Sequence, residues 1–350
     1  MLRNELTSVE VGVFDELPAD QNRSRFDDIE LKLEEFIDHV VLHPTLVDCE
    51  AVMETFHKSA LHRHARSTMR GVANAMPTVL GPPRGMLITG LTGTGKSTIS
   101  EHYQLRYPRY EAEEGTIVPV LRVELPSHPR TNVIAEQLLE QLGDPFASKG
   151  SGELRMERAK KLIRKCGVGL IIFDEIQHLT DNLDARTRDA AADTLKNLMS
   201  IGVPVVFIGL PTARSYFVKN QQLGRRCTPK VRLMPFSVAE VGSRKEFMTL
   251  LKSLHRLLPT VGASALIDLE CVLPLHLASF GLLGQLKQLV EAALRIMLKQ
   301  EDTALTREHL RVAFERTIFS GCAQQRNPFD AKFNGLPLTR PEEPYNGLVA

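Results

Sequence analysis

The sequence predicts an α/β fold: a central parallel sheet flanked by helices, followed by a small all-helical subdomain. Three observations lead there. Short apolar runs at 85–89, 169–173 and 204–209 alternate with amphipathic helical stretches, the pattern of strands buried on both faces of a parallel sheet. A Gly-rich turn lies between the first of these runs and a helix beginning at Lys96. From about residue 240 only helical periodicity remains, through 244–257, 263–279, 283–299 and 306–317.

The elements follow in order. At 27–40, Ile29, Leu33, Phe36, Ile37 and Val40 share one helical face, and a second helix is expected at 45–65 after Pro44. Pro77, Gly81, Pro82 and Pro83 mark a break before the first strand. A strand is expected at 116–125, with Pro119 blurring its start. Helices are expected at 131–142, 153–165 and 184–200. After Gly321 the chain turns polar and Pro-rich and is expected to be an extended tail. Its Phe329, Phe333 and Tyr345 are expected to dock a partner. The expected division is an N-terminal helical extension at 1–75, an α/β domain at 76–238, a helical lid at 239–320 and the tail at 321–350.

Composition narrows the class. The 350 residues are 43% hydrophobic and 24% charged with a net charge of +1, which excludes a general polyanion binder. No apolar run approaches the roughly 20 residues of a membrane helix, and the N-terminus lacks an apolar signal region, so a cytoplasmic protein with no membrane partner is expected. Cys49, Cys166, Cys227, Cys271 and Cys322 are scattered and read as reduced thiols. Charge is uneven. Asp27, Asp28, Glu30, Glu34, Glu35 and Asp38 make an acidic arm, whereas His57, Lys58, His62, Arg63, His64, Arg66 and Arg70 make a basic strip. That strip is either a solvated face or one facing DNA or a partner. The spacing of His62 and His64 does not fit a metal site.

Gly90-Leu91-Thr92-Gly93-Thr94-Gly95-Lys96-Ser97 satisfies G-x-x-x-x-G-K-[ST] between a strand and a helix. Glycines let the backbone curl so that N–H groups point at phosphates, and the new helix, including Thr98, adds its positive end. Lys96 would neutralise β/γ-phosphate charge and Ser97 would ligate Mg²⁺. Downstream, Leu170-Ile171-Ile172-Phe173 runs into Asp174 and Glu175. Asp174 would hold Mg²⁺ and Glu175 would polarise the attacking water. A strand–helix set between the two motifs, and a Glu beside the Asp, resemble the ATPase branch of P-loop proteins. With no Asn-Lys-x-Asp signature, ATP is the expected nucleotide.

The chain resembles AAA+ ATPases further on. Thr212, after Val205-Val206-Phe207-Ile208-Gly209, stands nearest the position where that class carries a γ-phosphate sensor, though the usual Asn is missing. Arg225 and Arg226 stand where it holds an arginine finger that acts on a neighbouring subunit, which implies a homo-oligomer. In Gly281-Leu-Leu-Gly284-Gln-Leu286-Lys287 a glycine replaces the usual lid arginine, leaving Lys287 as a substitute sensor.

Finer features resemble the TniB/TnsC-type transposition ATPases over residues 28–318. They are Phe36-Ile-Asp-His39 with Leu42-His43-Pro44, Arg84-Gly-Met-Leu-Ile-Thr-Gly, Asp174-Glu-Ile-Gln177-His178, Leu195-Lys-Asn-Leu198 before Ile201-Gly-Val-Pro204, and Gly281-Leu-Leu-Gly284. The resemblance implies an ATP-dependent regulator that assembles as rings or filaments on double-stranded DNA. It would link a TniQ-like target-selection protein to a DDE transposase. Phosphate contacts are expected from Ser127, His128, Arg130 and Thr131, and from Lys149, Arg155, Arg158, Lys160 and Lys161. A replication initiator or a DnaC/IstB-like helicase loader is the alternative. The initiator form is disfavoured because the chain after Gly321 is too short for a winged helix. A third reading is a signalling switch that binds ATP without DNA.

Overall fold

The computed structural model describes residues 31, 33–41, 44–69, 85–113, 115–180, 184–258 and 264–348; side chains at 63–69 are not included. The acidic residues before 31, the prolines at 77, 82 and 83, and the basic strip from Arg63 onward lie outside it. Residues 33–38 are helical (α1) and precede α2 (Pro44–Met69), β1 (Gly85–Gly90) and α3 (Lys96–Arg106). A small hairpin, β2 (Tyr110–Ala112) and β3 (Gly115–Ile117), leads to β4 (Val120–Glu124), α4 (Thr131–Gln141), α5 (Gly152–Lys165) and β5 (Leu170–Asp174). The α/β part closes with α6 (Ala185–Met199), β6 (Val205–Gly209), α7 (Ala213–Lys219), α8 (Gln221–Arg226) and β7 (Cys227–Leu233).

Five strands form one sheet in the order β4-β5-β6-β1-β7, all pairings parallel. Side chains alternate across it, as a two-residue repeat requires. Leu87, Ile171, Phe173, Val205 and Phe207 pack with α4, α5 and α6 on one face, while Met86, Ile88, Leu170, Ile172, Val206 and Ile208 pack with α2 and α3 on the other. Covering on both faces explains why these strands read as unbroken apolar runs. The expected strand at 116–125 is two. Pro119 cannot continue a ladder, so β3 ends at Ile117 in the antiparallel hairpin and β4 starts at Val120 beside β5. Strand β7 was not anticipated from sequence, because Thr228, Lys230 and Arg232 are exposed along an edge.

The lid comprises α9 (Val241–Arg256), α10 (Leu269–Ser279), α11 (Leu283–Lys299) and α12 (Arg307–Thr317). Leu286, Leu289, Val290, Ala293, Leu294 and Met297 give α11 a buried stripe at helical spacing. Helix α12 opens with a capping box between Thr306 and His309. The helix expected over 263–279 begins only at Leu269, where the Asp268 side chain accepts from the Glu270 N–H.

Two corrections concern the ends. The N-terminal helices do not form a unit of their own: Leu33 and Phe36 of α1 join the lid core, whereas Leu46, Cys49, Met53 and Phe56 of α2 join the sheet core. The C-terminal segment is not extended. Phe329, Leu338 and Tyr345 are buried in the lid core, and the Tyr345 hydroxyl donates to the Ala278 carbonyl. The buried Arg326 guanidinium meets Glu343 at 2.6 Å and also donates to Asn334 Oδ1 and the Pro337 carbonyl, both at 2.7 Å. Phe329 and Tyr345 therefore stabilise the lid rather than await a partner; Phe333 is half-buried.

Candidate functional site

The C-terminal ends of β1 and β5 open onto one cleft of about 510 Å³, within the range of about 300–1,000 Å³ usual for ligand sites. Thr92, Gly93, Gly95, Lys96, Ser97 and Thr98 form one wall, with Glu175, Gln177 and Leu210 across from them. The loop curls because Gly93 and Gly95 take φ of 83° and 88°, which side chains disfavour. Gly95 caps α3 without a side-chain hydrogen bond, so the first-turn N–H groups are left to a ligand. Lys96 Nζ and Thr94 Oγ1 both donate to the Leu91 carbonyl, at 2.7 and 2.8 Å. Burial lowers the Lys96 pKa, an effect opposed by Glu175 and Asp174, whose carboxylates favour the charged ammonium.

Asp174 ends β5 fully buried, with both carboxylate oxygens engaged. Oδ1 accepts from the Glu175 N–H at 2.9 Å, while Oδ2 accepts from Ser100 Oγ at 3.3 Å and Arg122 Nη2 at 3.2 Å. Arg122 also donates to Ser100 Oγ at 3.0 Å and pairs with Glu101 at 3.3 Å. A carboxylate has about four lone-pair sites, so Asp174 retains acceptor capacity. Glu175 lies in the left-handed region at φ 56°, ψ 36°, a conformation costing about 1–2 kcal/mol for a residue with a side chain. Its carboxylate accepts from Gln177 Nε2. A curled amide cradle, a buried ammonium, a helix N-terminus and an oxygen donor pair in Ser97 and Asp174 fit a magnesium–triphosphate.

The remaining expected residues divide. Gly90 ends β1 and Leu91 closes the loop, but Thr212 is exposed at the start of α7 and does not line the cleft. Arg225 and Arg226 end α8, away from the cleft of their own subunit; Arg226 Nη1 donates to the Lys196 carbonyl at 3.3 Å. Lys287 also lines the cleft. Its ammonium donates to the Ile37 and His39 carbonyls at 2.9 and 3.0 Å, and burial lowers its pKa. At Gly284 the lid meets the loop through backbone: Gly284 N–H donates to the Gly93 carbonyl at 2.8 Å, and a Cβ there would stand 3.0 Å from Gly93 Cα. A side chain at 284 would require the loop or the lid to give by a few tenths of an ångström.

Several expected DNA contacts are committed internally. Arg155 pairs with Glu136 and Arg158 with Asp144, fastening the 144–151 loop. Lys160 pairs with Glu157, Thr131 bonds Thr194 across 2.8 Å, and Lys149 lies over the Phe146 ring. His128, Arg130 and Lys161 are exposed. His57, expected in the basic strip, is buried against Tyr103 and Tyr107, and Lys58 pairs with Glu54. No group of three potential metal-ligating side chains occurs among the described residues. The five cysteines are unpaired, and no single described helix is long and apolar enough to cross a membrane.

Sequence reading missed Arg122 and noticed Gln177 only as part of a family-like string. The available signal for Arg122 was one cation inside the apolar run Val120, Leu121, Val123.

The sheet order, the curled loop after β1, the acids closing β5 and the helical lid define an AAA+ P-loop fold. A family model described as "Bacterial TniB protein" matches residues 56–237, just over half of the chain. The chain belongs to the TniB family. Among curated proteins, it is similar to the ORC1-type DNA replication protein 1 of Aeropyrum pernix, 28% identical over 120 residues, or 33% of this chain. The match spans only 30% of that relative's length. Two solved structures share the fold. One is the A. pernix ORC1 protein in complex with DNA (TM-score 0.52, 18% identity, 81% of this chain and 69% of that one). The other is the A. pernix ORC2 protein in ADPNP–ADP complexes (TM-score 0.52, 15% identity, 84% and 73%).

Proposed function

We propose that this chain is an ATP-hydrolysing regulator of DNA transposition that assembles on double-stranded DNA. The observation that carries the proposal is the shared cleft: the Lys96 loop and Glu175 line it together, with Asp174 buried behind and near enough to favour the charged Lys96, in a TniB-family chain. Ser97 and Asp174 would hold Mg²⁺, which when bound supplies divalent charge to the triphosphate. Lys96 and the loop N–H groups offset phosphate charge and fix its position. Glu175 orients the attacking water and takes its proton. Arg122 holds the Asp174 carboxylate in place. Arg225 and Arg226, outside their own cleft, would reach the nucleotide of a neighbouring subunit, which makes turnover depend on assembly.

A DDE transposase and a TniQ-like target selector are the proposed partners, on the family likeness. DNA contacts are proposed to be mainly to phosphate, with Arg130, His128 and Lys161 the exposed candidates. Filter binding to duplex DNA at two salt concentrations, with and without a non-hydrolysable ATP analogue, tests the reading. ATP-dependent, sequence-blind, salt-sensitive retention is expected; retention confined to particular sequences favours a replication initiator, which the ORC1-type likeness supports. Within the same assay Glu175→Gln should keep ATP binding and trap the DNA-bound assembly. Arg225→Ala with Arg226→Ala should lower turnover without weakening ATP affinity.

A further inference from the structure

Gln177 has no part in the proposed mechanism, yet its side chain lines the cleft beside Glu175. It sits in the short 3-10 turn Ile176–Leu179 and is 4% exposed. Its amide nitrogen donates to Glu175 Oε2, and its amide oxygen accepts from the Leu210 N–H at 3.0 Å, just past the end of β6. The orientation of this amide is dictated by its partners, since a carboxylate only accepts and a backbone N–H only donates. The seat is fitted to it: a Cβ on Gly209 would stand 2.6 Å from both Gln177 Oε1 and Ile176 Cγ2. The polar residue expected after β6, Thr212, is exposed and outside the cleft, whereas Gln177 and Leu210 both line it.

We propose that Gln177 is the positioning residue for Glu175 and stands in for the polar group missing from the end of β6. The inference rests on the reading of Glu175 as the group that activates water. Glu175 leaves β5 in a strained left-handed conformation, so the aim of its carboxylate needs an external support. Gln177 supplies that support and refers it to β6, the strand paired with β1 along its whole length. The direction of the carboxylate is thereby tied to the strand beside the phosphate loop. A side chain that cannot donate leaves the carboxylate free to turn. Misplacement of a reacting group by about 1 Å costs on the order of a hundredfold in rate, with no direct effect on ground-state binding.

The test uses the full chain with duplex DNA and two variants. Gln177→Ala removes both hydrogen bonds; Gln177→Glu keeps the shape and the bond from Leu210 but loses the donor to Glu175. Both are expected to lower kcat by about ten- to a hundredfold. ATP affinity measured by calorimetry should stay within about twofold, because binding rests on the loop. Without nucleotide, the Leu210 amide should exchange faster in Gln177→Ala than in wild type and stay protected in Gln177→Glu. Adding Gln177→Ala to Glu175→Gln should cost nothing further in single-turnover hydrolysis, as for two groups acting as a unit. The inference is overturned if Gln177→Ala keeps the wild-type kcat, if affinity falls in parallel with kcat, or if the double variant loses the product of the two single effects. A wild-type chain that takes up no ATP overturns the reading of the site as well. Normal ATP uptake and turnover with a fully active Gln177→Ala overturns this inference alone.

Discussion

The two walls of the cleft are built by different means. On the sheet side, strands and loop end in charged or strained residues held by side-chain hydrogen bonds: Asp174 by Arg122 and Ser100, Glu175 by Gln177. On the lid side the core is apolar, and it meets the phosphate loop through one backbone bond, Gly284 to Gly93, and through apolar packing against Leu91. One wall is specialised for chemistry and carries local strain. The other is a well-packed body whose contribution is its position. Substitutions on the sheet side should therefore change what the site does, and those on the lid side should change how firmly the wall stands.

The largest expected effect is on the sheet side. Lys96→Ala removes an ammonium that faces phosphate, and charge-assisted bonds of about 3 kcal/mol correspond to more than a hundredfold in affinity; calorimetry should register no ATP uptake. Next comes Arg326→Ala in the lid. Breaking a buried ion pair by removing one partner costs about 3–5 kcal/mol, so thermal unfolding should shift strongly downward while the ATP affinity of the folded fraction stays within about twofold. A large affinity change in that variant would erase the distinction between the walls. Gly284→Arg sharpens it: the new Cβ crowds Gly93 Cα, the loop or lid must give by a few tenths of an ångström, and ATP affinity should fall about tenfold, or about 1.4 kcal/mol. A gain in affinity would mean that the lid can read phosphate through a side chain after all. The smallest effect is on pH. His276 is half-buried, its Nε2–H donates to the Phe236 carbonyl at 2.9 Å, and desolvation holds its pKa below the ordinary imidazole value. The stability it contributes is complete above about pH 6.5 and is lost as pH falls toward the folded value, because the unfolded chain takes up a proton that the folded chain refuses. The melting temperature should decline between about pH 7.5 and 5.5.

Legibility from sequence follows the same division. The phosphate loop and the acids after β5 were readable because each needs particular residue types in consecutive order, and the buried strands announced themselves as apolar runs. Arg122 and Gln177 were not readable as site residues, since what matters is a contact across the sheet, with Ser100 and Asp174 in one case and with Leu210 in the other. The same blindness affected Lys287, whose partners lie some 250 residues away in the leader. Phe329 and Tyr345 looked like exposed anchors because a polar, Pro-rich stretch hides the fact that these two, with Leu338, are turned inward. Strand β7 escaped notice because an edge strand with one open side carries charges at alternate positions.

The grip of Lys287 on the Ile37 and His39 carbonyls has a mechanical consequence. Leu33 and Phe36 are already rooted in the lid, so the 37–41 stretch along the cleft is fastened to the lid on its N-terminal side. Any displacement of the lid would therefore carry this lip of the cleft with it.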